Sequence, residues 1–106
     1  MNRGERRALR HYRLRGYRIL AANVPAGGYE LDLVLRRGRR LVFVEVKQKG
    51  GTAYGAPLEM IDEEKVRRVW SAALAWVAAH PEARGKELSA EAVAVRGRRI
   101  ERVPLS

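Results

Sequence analysis

Residues 30–47 have the sequence ELDLVLRRGRRLVFVEVK, in which two apolar runs flank a charged turn that contains a glycine. This pattern predicts an antiparallel hairpin with strands at residues 30–35 and 41–47. Strand side chains alternate between faces, so the first strand should divide its side chains into two sets. One predicted set is Leu31, Leu33 and Leu35, and the other is Glu30 and Asp32.

The second strand of the hairpin is predicted to be apolar on both faces. Alternation places Val42, Val44 and Val46 on one face and Leu41, Phe43, Glu45 and Lys47 on the other. A strand of this kind is typical of the centre of a sheet that is covered on both sides. Glu45 and Lys47 interrupt its apolar run with opposite charges, which need partners or a metal because desolvation of a charge is costly.

The rest of the chain predicts two helices and three more strands around this hairpin. The helices are expected at residues 3–15 and 62–80, and the strands at residues 17–24, 89–96 and 100–103. Residues 25–28 are expected to form a turn, and residues 48–58 a glycine-rich loop. We therefore predict a single α/β (α+β) domain over residues 1–106, with the order α-β-β-β-α-β-β and helices packed on a small mixed sheet.

Composition favours a polyanionic partner. The chain has 22 Lys+Arg against 12 Asp+Glu, which gives a net charge of +10. Such a balance is typical of proteins that bind nucleic acid, although a basic surface also serves solubility. The absence of cysteine excludes disulfides and thiolate metal sites. No apolar stretch is long enough to span a bilayer and no signal peptide is evident, so we expect no membrane partner and a cytoplasmic location.

Asp32, Glu45 and Lys47 form the candidate chemical site of the hairpin. Neighbouring strands lie about 4.8 Å apart, so the two carboxylates approach each other if the hairpin register places them across from one another. Close carboxylates repel unless one is protonated or a cation lies between them. Mg²⁺, or Mn²⁺, suits one or two carboxylates plus water, and the Val46 carbonyl would offer another oxygen. With Lys47 nearby, this set predicts metal-assisted phosphodiester hydrolysis.

Each of these residues also has a simpler interpretation. Asp32 would be an exposed strand residue, and Glu45 and Lys47 a surface ion pair on an edge strand. Such a pair contributes less than about 1 kcal/mol. Glu5 would be a first-turn acid favoured by the dipole of the first helix, or the partner of one of its arginines.

The order of these motifs resembles the PD-(D/E)xK nuclease superfamily, which has the restriction-endonuclease-like fold. More closely, the chain resembles the UPF0102 (YraN-like) family over most of its length. The similarity is carried by Gly4-Glu5 with Ala8 and Tyr12, by residues 16–23, by ELDLV at residues 30–34, by VFVEVK at residues 42–47, and by Gly55, Pro57 and Lys65.

This resemblance implies a nuclease-like protein similar to archaeal Holliday junction resolvases. It implies Asp32, Glu45 and Lys47 as the metal and catalytic set, with Glu5 as an accessory acid. The chain departs from the family at Tyr29, which separates Gly28 from Glu30, and at Ser89-Ala90-Glu91, where the family has Arg-Phe-Asp.

Three functions are consistent with the sequence. The preferred one is a Mg²⁺-dependent nuclease, or nuclease-like protein, that acts on structured or branched DNA, with a homodimer as one way to match a symmetric junction. The alternatives are a nucleic-acid-binding module without turnover and a protein–protein adaptor with a basic face. The expected phosphate contacts are Arg3, Arg6, Arg7, Arg10, Lys49 and Lys65.

Overall fold

The structure, a computed structural model, describes residues 1–48 and 62–105. Its elements are α1 (Arg3–Arg13), β1 (Arg18–Ala26), β2 (Tyr29–Arg37), β3 (Arg40–Gln48), α2 (Glu63–Ala78), a short 3-10 helix (Pro81–Ala83), β4 (Glu87–Arg96) and β5 (Arg99–Pro104). The predicted order of helices and strands is confirmed. The predicted loop lies outside the described residues except for Gln48, which belongs to β3.

The five strands form one mixed sheet in the order β1-β2-β3-β4-β5. The pairs β1–β2, β2–β3 and β4–β5 are antiparallel, whereas β3 and β4 are parallel. Parallel neighbours need a crossover connection, and α2 lies in the segment that joins β3 to β4. The predicted hairpin is therefore the middle of the molecule, with β3 as the central strand.

Helix α1 depends on its contacts with the sheet. It has 11 residues, which is too short for an isolated helix to be stable in water. Its N-terminus has a capping box, because the Asn2 side chain accepts from the Glu5 amide and the Glu5 side chain accepts from the Asn2 amide. The spacing of Glu5, Ala8, Leu9 and Tyr12, at i, i+3, i+4 and i+7, predicts that they share one helix face, and all four are buried.

Each face of the sheet has its own apolar core. The α1 face buries Ala8, Leu9, Tyr12, Leu33, Leu35, Val42, Val44, Val93 and Val95. The α2 face buries Leu31, Val34, Leu41, Phe43, Val69, Ala73 and Trp76. The two predicted faces of β3 are confirmed, because its alternate side chains contribute to opposite cores.

The predicted shared face of Leu31, Leu33 and Leu35 is wrong. Leu33 and Leu35 pack on the α1 face, whereas Leu31 packs on the α2 face. The alternation changes at Asp32, where β1–β2 pairing passes from Ala22↔Leu33 to Val24↔Leu31. In β1, Asn23 between these pairs has a φ of 49°, in the left-handed region. The change of face in β1 falls at this residue, because Ala22 packs on the α1 face and Val24 on the α2 face.

The first turn is shorter than predicted. Pro25 and Ala26 belong to β1 and pair with Glu30 and Tyr29, which leaves Gly27 and Gly28 as the turn. Proline is tolerated here because β1 is an edge strand and its free side needs no ladder amide. Both glycines have positive φ, of 56° and 78°, which favours glycine over other residues.

A polar cluster ties α1 to the far edge of the sheet. Arg102 donates to both carboxylate oxygens of Glu91, at 2.9 and 3.0 Å, and the Tyr12 hydroxyl donates to the same carboxylate. The Arg102 guanidinium also lies 4.6 Å from the centre of the Tyr12 ring. Although burial raises the pKa of Glu91, the hydrogen bonds from Arg102 and Tyr12 outweigh it, so the pKa lies below its usual value. Glu91 is thus a structural anchor that joins α1 to β5.

Candidate functional site

The strands β2 and β3 separate at one end, and the predicted site residues lie at that separation. The pairing of β2 with β3 ends at Leu33↔Val44. Beyond this point β2 continues beside β1 to Tyr29, while β3 continues beside β4 to Gln48. Extension of the register by one pair would place Asp32 opposite Glu45. The two acids therefore lie on either side of the opening.

Asp32 uses its side chain to bridge the opening. Its Oδ2 accepts the amide hydrogen of Val46 at 2.7 Å, in place of a backbone carbonyl. Burial is the main cause that raises the pKa of Asp32 to about 7, and the charges of Glu45, Glu5 and Glu30 add to it, while the Val46 hydrogen bond opposes it. The ionised carboxylate of Asp32 is therefore disfavoured at this position, and binding of a proton or a cation would stabilise it.

Glu45 is held on both of its carboxylate oxygens. Oε2 accepts the Tyr29 hydroxyl at 2.6 Å, and Oε1 lies 3.1 Å from Lys47 Nζ and 3.9 Å from Lys65 Nζ. Its side chain is only 8% exposed and β3 is a central strand. The interpretation of Glu45 and Lys47 as a surface pair on an edge strand is therefore wrong.

Two lysines from different elements share the Glu45 carboxylate. Burial lowers the pKa of Lys47, but hydrogen bonds with Lys65 and Glu45 outweigh this effect and leave the pKa raised. The pKa of Lys65 is lowered, first by its hydrogen bond with Lys47 and then by burial. Lys47 is therefore the more firmly protonated amine, and the site holds an ammonium beside the acids as the sequence predicted.

The N-terminus of α1 closes the opening from the other side. The Gly4 amide donates to Gln48 Oε1 on β3 at 2.9 Å. The adjacent Glu5, which is 6% exposed, accepts from Asn23 Nδ2 on β1 at 3.0 Å. Helix α1 thus spans the separated strands, and the Glu5 charge contributes to the raised pKa of Asp32.

Gly4→Ala is expected to destabilise the protein although alanine favours helix. A Cβ at Gly4 would lie 2.6 Å from Gln48 Oε1 and 2.9 Å from Gln48 Cβ, so the Gln48 side chain or the first turn of α1 must shift and the Gly4–Gln48 hydrogen bond is disturbed. Overpacking of this kind costs about 1–3 kcal/mol, against a propensity gain of about 1 kcal/mol. Thermal unfolding should show a lower Tm than the wild type, whereas exposed Arg3→Ala should leave it nearly unchanged. An unchanged Tm in the glycine variant would contradict the close packing of α1 on β3.

The remaining predicted phosphate contacts fall in different places. Arg3, Arg6 and Arg10 are exposed on α1, Arg7 is partly buried there, and Lys65 lies beside Glu45 at the start of α2. Lys49, with Gly55 and Pro57, lies outside the described residues. The structure thus separates the lysines near the acids from the arginines along α1.

Sequence reasoning missed three residues that shape the site. Tyr29 binds Glu45, Asn23 binds Glu5, and Gln48 binds the Gly4 amide. The signal for Tyr29 was its insertion between Gly28 and Glu30. Asn23 and Gln48 gave no comparable signal, because their roles depend on contacts between distant segments.

The donor set fits a hard divalent cation with few protein ligands. Mg²⁺ commonly uses one or two carboxylates and keeps several waters, which suits Asp32 and Glu45 with the Val46 carbonyl. Within residues 1–48 and 62–105, no group of three or more His, Cys, Asp or Glu side chains is placed to hold a metal. The raised pKa of Asp32 is the feature that a cation would relieve.

No helix among the residues that the structure describes is long and apolar enough to cross a membrane.

Comparisons with known proteins place the chain in a family. The family model described as "Uncharacterised protein family UPF0102" matches residues 4–102. A UPF0102 protein of Methylorubrum extorquens is 48% identical over 89 residues, which cover 84% of this chain and 68% of that protein. A UPF0102 protein of Methylobacterium nodulans is 46% identical over 98 residues, which cover 92% of this chain and 74% of that protein. The chain therefore belongs to the UPF0102 family.

Proposed function

We propose that this protein is a Mg²⁺-dependent nuclease that hydrolyses phosphodiester bonds of structured or branched DNA. The observation that carries the proposal is the opening between β2 and β3. There Asp32 accepts a hydrogen bond from the Val46 amide, next to Glu45 in β3, and Lys47 contacts Glu45. The Asp32 carboxyl has a pKa of about 7. Buried acids and an ammonium at one sheet opening are typical of sites that bind a cation and a phosphate.

In this proposal each residue has a separate role. Asp32 and Glu45 would hold the cation, which supplies Lewis acidity toward the phosphodiester when bound. Tyr29 orients Glu45 through its hydroxyl, so one oxygen direction is fixed. Lys47 stabilises negative charge that develops on the phosphate, and Lys65 offers a second amine at the same place. Glu5 adds negative charge at the opening and keeps α1 attached to β1.

The architecture supports a restriction-endonuclease-like fold. The structure has a mixed sheet with a helix on each face. Its central hairpin carries Asp32 on β2 and the Glu-x-Lys motif of Glu45 and Lys47 on β3. The opening lies between the antiparallel strands β2 and β3, and on its other edge β3 pairs with β4 in parallel. These features agree with a nuclease-like scaffold for the proposed chemistry.

The direct test is cleavage by the wild-type chain. Labelled four-way junctions, flaps and linear duplexes are incubated with Mg²⁺, with Mn²⁺, or with chelator alone. We expect cleavage with either metal, none with chelator, and faster cleavage of branched substrates than of linear ones. If every substrate stays intact at all metal concentrations, the hydrolase proposal is wrong.

One observation favours the alternative of a nucleic-acid-binding module without turnover. Both oxygens of Glu45 already have partners in Tyr29, Lys47 and Lys65, so a cation must compete with two ammonium groups. A Mg²⁺ titration followed by thermal unfolding separates the two functions. The nuclease should gain stability with Mg²⁺, whereas the stability of the module should not change. The module should also bind DNA equally well with metal or chelator.

A further inference from the structure

A second basic surface lies away from the acidic opening. The C-terminal half of α1 and the turn between β4 and β5 enclose a groove of about 540 Å³. Its lining includes Arg7, Arg10, Arg15 and Arg98, and no acidic residue lies among the described residues that line it. Four guanidinium groups around one concave surface indicate an anionic occupant.

The groove is held in shape by hydrogen bonds from its own arginines. Arg7 Nη1 donates to the Gly97 carbonyl, which fixes α1 against the β4–β5 turn and brings Arg98 beside the helix. Arg15 Nη1 donates to the His11 carbonyl at 2.9 Å, at the end of the helix. Each bond uses one of five guanidinium N–H donors, so the others remain available to a ligand. The cost of ordering these side chains is therefore partly met before a ligand binds.

Phosphate is the anion that this geometry suits. A guanidinium presents paired donors that match two phosphate oxygens, and repeated phosphates match several arginines at once. An anionic membrane is a poorer match, because surface-bound helices insert an apolar face into the bilayer. In α1 that face, formed by Ala8, Leu9 and Tyr12, is buried against the sheet.

The groove and the candidate site lie at different places on the same helix, α1. Glu5 lies in the first turn of α1, at the opening between β2 and β3, and Arg10 follows about 7.5 Å further along the helix axis. The same five-residue step turns Arg10 about 140° around the helix from Glu5, so the groove is a separate surface from the opening. The arginines there carry no base-specific geometry, so their contacts would position the strand without reading its sequence.

We propose that this groove, lined by Arg7, Arg10, Arg15 and Arg98, binds the sugar-phosphate backbone of double-stranded DNA independently of metal. The inference rests on the proposed function and adds to it a binding surface to which the β4–β5 turn contributes. Arg98, which the sequence did not single out, becomes a phosphate contact together with Arg10.

The test compares two double variants of equal net charge. Arg10→Gln/Arg98→Gln changes the groove, and Arg67→Gln/Arg84→Gln changes exposed positions on α2 and after the 3-10 helix. Arg7 is left unchanged because it anchors the turn. Binding of a labelled duplex is measured in chelator over a series of salt concentrations, and thermal unfolding checks that both variants fold.

We expect the groove variant to lose about tenfold in DNA affinity, with the slope of log K against log salt reduced in magnitude by about 2. The control variant should stay within about twofold of the wild type. Equal losses in both variants, or no loss in the groove variant, would overturn the proposal. Binding of the same proteins to phosphatidylglycerol vesicles is measured in parallel. A loss of vesicle binding without a loss of DNA binding would identify a membrane surface and would also overturn the proposal.

DNA binding is measured in chelator, where no metal-dependent cleavage takes place. The groove proposal and the catalytic proposal can therefore fail independently of each other. If the wild type never cleaves DNA but the groove variant alone loses affinity, the groove stands and the catalytic proposal is wrong. If the wild type cleaves DNA while both variants bind equally, the catalytic proposal stands and the groove is wrong.

Discussion

Glu45→Gln is expected to reduce metal-dependent DNA cleavage by at least about 100–1000-fold while DNA binding is retained. The glutamine keeps the shape of the side chain but removes the negative charge that a divalent cation needs. It also places an amide group where Tyr29 Oη lies 2.6 Å from Oε2 and Lys47 Nζ lies 3.1 Å from Oε1. Cleavage rates on the preferred DNA substrate, measured at saturating Mg²⁺, check this expectation.

The matched control is Glu63→Gln, which makes the same chemical change at an exposed position of α2. It should cleave DNA at the wild-type rate. DNA affinity in chelator should be unchanged or slightly higher in Glu45→Gln, because Lys47 and Lys65 lose their neutralising partner. A Glu45→Gln variant that cleaves normally would show that Glu45 serves only to hold the lysines.

Asp32→Asn is expected to stabilise the metal-free protein above pH 7. The pKa of Asp32 is raised from 3.8 to about 7, chiefly by burial and also by Glu45 and Glu5, so the folded state binds this proton more tightly than the unfolded state. The free energy of unfolding of the wild type should therefore fall as pH rises from about 4 to about 7, and then level off. Asparagine removes the charge and keeps an oxygen that can accept from the Val46 amide.

The expected gain in stability at pH 8 is about 1–2 kcal/mol, after a reduction for solvent screening of a partly exposed carboxylate. Each kcal/mol corresponds to about 4–8 °C in Tm for a domain near this size. Below about pH 3 the two proteins should unfold at the same temperature, because Asp32 is then protonated in both the folded and the unfolded state. Thermal unfolding across this pH range measures the difference directly.

Metal provides the second comparison for this prediction. Mg²⁺ should raise the Tm of the wild type at pH 8 and leave Asp32→Asn unchanged, which would reduce the difference between the two proteins. Glu63→Gln should follow the wild type with and without metal. If the stability of the wild type does not fall between pH 4 and pH 7, the pKa of Asp32 is not raised in the folded protein, whatever the catalytic activity.

Together these variants separate the candidate functions. A nuclease requires the acids for turnover and the cation for relief of their charge. A binding module requires the arginines but gains stability when Asp32 is neutralised, with no effect of Mg²⁺. An adaptor with a basic face would show no preference for DNA over other polyanions, so competition with heparin identifies it.

The sequence determined the elements and the identity of the candidate acids. The alternating pattern of β3 predicted its two buried faces, and the period of α1 predicted that Glu5, Ala8 and Tyr12 share one helix face. The fixed period of each element governs which of its side chains share a face, so such patterns can be read without knowledge of the rest of the chain. The same pattern placed Glu45 and Lys47 on one side of a central strand, and the structure confirms their contact at 3.1 Å.

Only the tertiary structure decided how the site is built. The face change at Asp32 lies beside the left-handed Asn23 of the neighbouring strand, and strict alternation does not include such a change. The contacts of Glu45 with Lys65, of Glu5 with Asn23, and of Gly4 with Gln48 join residues that are 18 to 44 positions apart. Local periodicity carries no information about which distant side chains meet. Those contacts arise because two separate cores fix α1 and α2 on opposite faces of one sheet.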